Sequence, residues 1–180
     1  MKHLRITLLV ALAVLLAMLG ATVPAVADKG GSFKTKLSGF EEVPAISTPG
    51  EGEFRAKIED TVIEFELSYD GLKGTAFAAH IHLGQRGVNG AVVAFLCGGG
   101  GKPACPAKSG TVTGTIDASN IMAVPVQGVV AGDFDGFVRA IRAGVTYANV
   151  HTTGPSGANF PGGEIRGQLP RKGKDKDDED

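Results

Sequence analysis

The chain reads as an all-β domain, an antiparallel Greek-key-like β-sandwich or barrel with one short helix. Three observations carry that reading. Apolar and polar residues alternate with period two over several short segments, glycine-containing turn signals separate those segments, and only one segment has helical spacing.

In chain order, Phe33–Leu37 is the first candidate strand. Phe54, Ala56 and Ile58 then alternate with Glu53, Arg55, Lys57 and Glu59, and after a turn at Glu59-Asp60 the pattern resumes as Ile63, Phe65 and Leu67 against Glu64, Glu66 and Ser68. That is a hairpin with one buried and one wet face. Asp70-Gly71 marks the next turn, and Asn89-Gly90 another between strands at Phe77–Leu83 and Ala91–Leu96. Further strands fit at Thr111–Ile116, Tyr147–Thr152 and Glu164–Leu169. Between them, Phe134, Phe137 or Val138, and Ile141 recur at spacings of three and four after Asp133 and before Gly144, which predicts a short helix capping the barrel. Gly136 inside it weakens that helix by about 1 kcal/mol relative to alanine.

The flanks differ in kind. Lys2, His3 and Arg5 precede an apolar run from Ile6 to about Ala21 that leads to Ala25-Val26-Ala27, the pattern of a secretory signal peptide cleaved before Asp28. The expected organisation is a leader over 1–27, a linker over 28–32, the β domain over 33–170 and a charged, disordered tail over 171–180. No later segment reaches the roughly 18 apolar residues of a transmembrane helix. Removing Lys2 and Arg5 with the leader takes the 18 basic residues to 16 against 19 acidic ones, a net charge of −3. That balance excludes nucleic acid as a partner, which calls for a concentrated basic face.

Cys97 and Cys105 flank a glycine-rich stretch, and in an exported protein this pair reads as a disulfide holding a hairpin-like excursion. Its spacing is not the C-x-x-C of a reactive dithiol. The four glycines Gly98–Gly101 are not followed by the Lys-Ser/Thr and helix of a phosphate-binding loop. No Gly-x-Ser-x-Gly elbow occurs, and the carboxylate pairs Glu41-Glu42 and Asp133 with Asp135 read as loop charges and a helix start.

His80, His82 and His151 are the only histidines beyond the leader. Strand parity puts Phe77, Ala79, Ile81 and Leu83 on one apolar face and Ala76, Ala78, His80 and His82 on the other. By the same rule Ala148 and Val150 point inward and Tyr147, Asn149 and His151 away, while Ile165 and Leu169 point inward and Glu164, Arg166 and Gln168 outward. If these three strands are neighbours, His80, His82, Asn149, His151, Glu164 and Arg166 form one polar cluster. Histidines two apart on a strand, about 6.5 to 7 Å between Cα atoms, can converge on one ion, and a third imidazole completes a three-nitrogen set suited to zinc or copper. Glu164 is then either an acceptor that fixes one imidazole from behind or a fourth ligand. The other reading of the same residues is a plain hydrogen-bond network on a sheet surface.

Four ordered segments carry a resemblance. Leu37-Ser38-Gly39-Phe40-Glu41-Glu42-Val43-Pro44, Ala79-His80-Ile81-His82-Leu83-Gly84 with Gly87 and Asn89-Gly90, Tyr147-Ala148-Asn149-Val150-His151-Thr152, and Pro161 through Leu169 together resemble the CHRD domain, the module repeated in chordin. The resemblance runs over about Phe33 to Leu169. It implies an extracellular module, but not growth-factor antagonism, because the cysteine-rich modules that accompany these repeats in chordin are missing. The His80-Ile81-His82 segment is also similar to the His-x-His strand of copper-zinc superoxide dismutase. That family uses six histidines and an aspartate for two metals, so three histidines allow at most one.

The expectation is therefore a secreted, non-catalytic binding or structural module whose partner is an extracellular protein or polysaccharide. The alternatives are a mononuclear copper or zinc protein using His80, His82 and His151 for storage, trafficking or redox chemistry, and a cell-surface adhesion module.

Overall fold

A computed structural model of the chain describes residues 30–155 and 159–171. The leader, the start of the linker and all of the tail except Arg171 lie outside the described residues. Eight strands form one antiparallel sheet: β1 Gly31–Ser38, β2 Glu51–Glu59, β3 Val62–Asp70, β4 Thr75–Leu83, β5 Ala91–Cys97, β6 Gly110–Ile116, β7 Thr146–Thr153 and β8 Phe160–Gln168. Their order is β5-β4-β7-β8-β1-β2-β3-β6, and the sheet curls until β5 and β6 approach each other, a nearly closed barrel. All eight strands predicted from the alternation are present.

β1 starts at Gly31 because β2 continues to Glu59 and offers Ile58 and Lys57 as partners for Gly31 and Ser32, so the linker residues 31–32 are strand. The β2–β3 hairpin is in full register, and the inward side chains of Phe54, Ile58, Ile63 and Leu67 are almost wholly buried. Burying one such side chain stabilises by about 1.5–3 kcal/mol.

The single α-helix among the described residues, α1, spans Phe134–Arg142 and lays Phe134, Phe137, Val138 and Ile141 on the core. Asp133 caps it by accepting the Gly136 N–H at 2.8 Å. A Cβ on Gly136 would lie 2.0 Å from Asp133 Oδ2, so the glycine that weakens the helix is what admits its cap.

Cys97 and Cys105 are joined by a disulfide, as expected, with Cα atoms 5.1 Å apart. No helix among the described residues is long and apolar enough to cross a membrane.

Two irregularities overturn parts of the parity argument. On β4, Ala76 pairs with Thr152 and Ala78 with His151, so Phe77 is an extra residue. Such a bulge resets the alternation. Ala76 joins the core, and Phe77, expected inside, is 44% exposed. Between β7 and β8, Val150 pairs with Ile165 but Thr152 with Phe160, which leaves Pro161–Glu164 as excess chain and frees Glu164 from the predicted outward face.

Candidate metal centre

β7 lies between β4 and β8, so the three strands carrying the predicted cluster are neighbours. Register sets His80 opposite Asn149, Ala78 opposite His151, and Asn149 opposite Arg166. This face lies outside the apolar core, yet it is not wet. The segment after β1 and the loop between β4 and β5 fold over it, leaving His80 8%, His82 7%, His151 6%, Asn149 1% and Arg166 2% exposed.

The three imidazoles converge. Ring centroids are 4.6 Å apart for His80 and His151, 5.5 Å for His80 and His82, and 5.7 Å for His82 and His151. One nitrogen from each lies within 4.8 Å of the others. Nitrogens bound tetrahedrally to one ion at 2.0–2.1 Å stand about 3.4 Å apart, so the nitrogens need to close by up to about 1.4 Å.

Two of the rings are oriented from behind. His82 Nδ1 faces the Gly90 carbonyl at 3.0 Å and His151 Nδ1 faces the Pro161 carbonyl at 2.8 Å. A carbonyl only accepts, so both Nδ1 atoms carry the proton and both Nε2 atoms hold a free lone pair. Those Nε2 atoms are buried with no hydrogen-bond partner among the described residues, as are both nitrogens of His80. Burial lowers the His80 pKa to about 3, helped by neighbouring His151 and His82, and burial lowers His82 to about 4, against the Gly90 carbonyl and the nearby Asn149 side chain, which favour its charged form. Burial also lowers His151, against its bond to Pro161. All three are therefore neutral at pH 7 and need lose no proton to bind a cation.

Arg166 and Tyr147 support this site without joining it. The Tyr147 ring stacks on His82 with centroids 4.8 Å apart and planes within 8°, and the Arg166 guanidinium lies 3.4 Å over the other side of the tyrosine. Arg166 also donates to the carbonyls of Gln85 and Val88 and to Asn89 Oδ1, which holds the covering loop. The Tyr147 hydroxyl accepts the Gly90 N–H, next to the carbonyl that orients His82.

Glu164 is elsewhere. Its carboxylate accepts from Thr48 Oγ1 at 2.6 Å, Lys73 N at 2.6 Å, Thr152 Oγ1 at 2.7 Å and Gly74 N at 3.1 Å. Burial raises its pKa, and the hydrogen bonds more than offset that and hold it below the usual range. With its oxygens committed to these four donors, it is not the expected acceptor or ligand for the histidines.

The acid near the site is Glu42, which sequence reasoning set aside as a loop charge. It is 6% exposed, its Oε1 has no partner, and it faces Asn149, whose own Oδ1 is also unpaired. Burial pushes the Glu42 carboxyl up to about 7, against the pull of Arg166. A Cβ on Gly163 would come within 2.3 Å of its Oε1, so that glycine makes room for the carboxylate. The only sequence signal for Glu42 was its place in Gly39-Phe40-Glu41-Glu42-Val43-Pro44.

Comparison with known proteins agrees with the four-segment resemblance. Searches of curated proteins and of solved structures return no match. The family model of the CHRD domain matches residues 33–169, most of the chain and every described strand, so this protein belongs to the CHRD domain family.

Proposed function

We propose that this chain is an exported CHRD module that binds a single copper or zinc ion through His80, His82 and His151. One observation carries the reading: four buried imidazole nitrogens on three converging rings make no hydrogen bond of good geometry among the described residues, while the opposite nitrogens of His82 and His151 are fixed by carbonyls. Leaving a buried polar atom unpaired costs about 1–3 kcal/mol, a cost that a metal ion would remove. Backbone carbonyls behind the rings are the usual outer support of metal-ligating histidines. Three neutral nitrogen donors, with no thiolate or carboxylate among them, suit copper or zinc and leave a coordination position for a further ligand.

The sequence leader and the disulfide support export, because disulfides persist in oxidising compartments. Storage, trafficking and redox use of the ion all begin from the same bound state. A protein or polysaccharide partner, with or without an adhesive role, has no comparable observation behind it. Isothermal titration of the metal-free mature protein with copper or zinc is expected to give one site tighter than about micromolar, or roughly −8 kcal/mol. Binding of a macromolecular partner that ignores chelators, with no metal bound, would replace this reading.

A further inference from the structure

His82 and His151 are aimed by hydrogen bonds, but His80 has none at either nitrogen among the described residues. Packing must therefore set its ring angle. Its partner across the β4–β5 ladder is Phe95, whose ring meets it edge-on at 4.4 Å between centroids and 89° between planes. Side chains directly opposite on an antiparallel pair are close enough for such contacts. Phe95 is packed in turn by the chain that follows β5. A Cβ on Gly99 would lie 2.4 Å from Phe95 Cε1 and one on Gly100 2.8 Å from its Cδ2, so the backbone of this stretch lies directly against the ring. The stretch belongs to the loop that the Cys97–Cys105 disulfide closes, and the Gly98 N–H to Pro103 carbonyl bond tightens its base.

We infer that Phe95 is a positioning residue for His80, and that the disulfide-closed glycine loop holds Phe95 there, so that metal retention depends on an intact Cys97–Cys105 bond. The metal clause rests on the reading proposed above; the positioning clause does not. Of the rings against His80, Phe95 is the nearest and the one that is not itself a candidate ligand, so its loss gives the imidazole more freedom to turn, and a ligand that must first be ordered binds more weakly. Gly99 and Gly100 have a role here: the loop needs residues without side chains at these positions because an aromatic ring occupies that space.

The test compares the full mature chain with Phe95→Ala, Phe95→Tyr and Cys97→Ser/Cys105→Ser. In metal-free protein, the ring 1H–15N signals of His80 are expected to be single and sharp in the wild type, broadened in Phe95→Ala and in the cysteine variant, and restored in Phe95→Tyr. Unchanged His80 signals in Phe95→Ala would overturn the positioning clause whether or not metal binds. With Cu(II) added, the nitrogen hyperfine pattern is expected to show three imidazoles in the wild type and two in Phe95→Ala, with at least tenfold weaker binding. Three imidazoles and wild-type affinity in Phe95→Ala would overturn the metal clause. A wild type that binds no copper overturns the metal reading and the metal clause together, and the His80 signals still decide the positioning. If the cysteine variant fails to fold, Gly99→Ala displaces Phe95 with the disulfide intact and is expected to weaken copper binding in the same direction.

Discussion

Two buried polar groups sit on neighbouring strands of this sheet and could hardly be treated more differently. Glu164 on β8 is fully buried and receives four hydrogen bonds from three separate parts of the chain. The histidines of β4 and β7 are nearly as buried, and four of their six ring nitrogens have no hydrogen-bond partner of good geometry among the described residues. A buried polar group with all its partners inside the protein serves the fold, because it joins segments and leaves nothing over for a ligand. A buried group without partners carries a standing cost, and a cluster of such groups with converging lone pairs is where something from outside is expected to bind.

Breaking the satisfied half should have the largest effect. Glu164→Ala strands four donors, two of them backbone N–H groups, and is expected to destabilise the domain by about 3 kcal/mol or more in urea unfolding, with or without metal. The next effect belongs to the unsatisfied half. Copper or zinc at about 100 times its dissociation constant is expected to stabilise the folded chain by about 2.7 kcal/mol. The triple variant His80→Ala/His82→Ala/His151→Ala should lose that gain and Glu164 should play no part in it.

A sharper contrast comes from the metal-free protein. His80→Leu removes two unpaired nitrogens from a buried site and replaces them with apolar atoms of similar size, so it is expected to leave stability unchanged or raise it by about 1 kcal/mol. Such a result would be out of place for a histidine working in a structural network, where the same change should cost stability.

A last contrast is the dependence on pH, in which two sets of groups oppose each other. The three imidazoles have folded-state pKa values below the ordinary 6.5, so on acidification the unfolded chain takes up protons before the folded one does. Metal-free stability should therefore fall from pH 7 to pH 5. Glu42 opposes this trend, because its pKa is raised to about 7 and the folded state takes up that proton first. Glu42→Gln should make the acid loss steeper, and the triple histidine variant should flatten it; thermal melting at both pH values measures each.

Much of this was legible because it is local. Alternation in β2 and β3 predicted both strands and their buried faces, and parity on β7 separated Ala148 and Val150 from Asn149 and His151 correctly. Strand parity breaks where the chain gains a residue. Phe77 and Glu164 both lie at bulges, and a bulge is a property of two strands together, invisible in either one's pattern. Phe95 was hidden for a different reason: it sits in the apolar run from Ala91 to Leu96, where nothing marks one side chain as facing away from the core. Glu42 depends on Gly163, more than a hundred residues away, for the space its carboxylate occupies.

The most direct test of the central claim is titration of metal-free mature protein with Cu(II) and Zn(II), beside the triple histidine variant. One ion per chain, bound tighter than about micromolar and lost in the variant while the fold persists, is the predicted result. No binding by the wild type, or binding that the variant retains, would contradict the account and leave the unpaired nitrogens without a ligand.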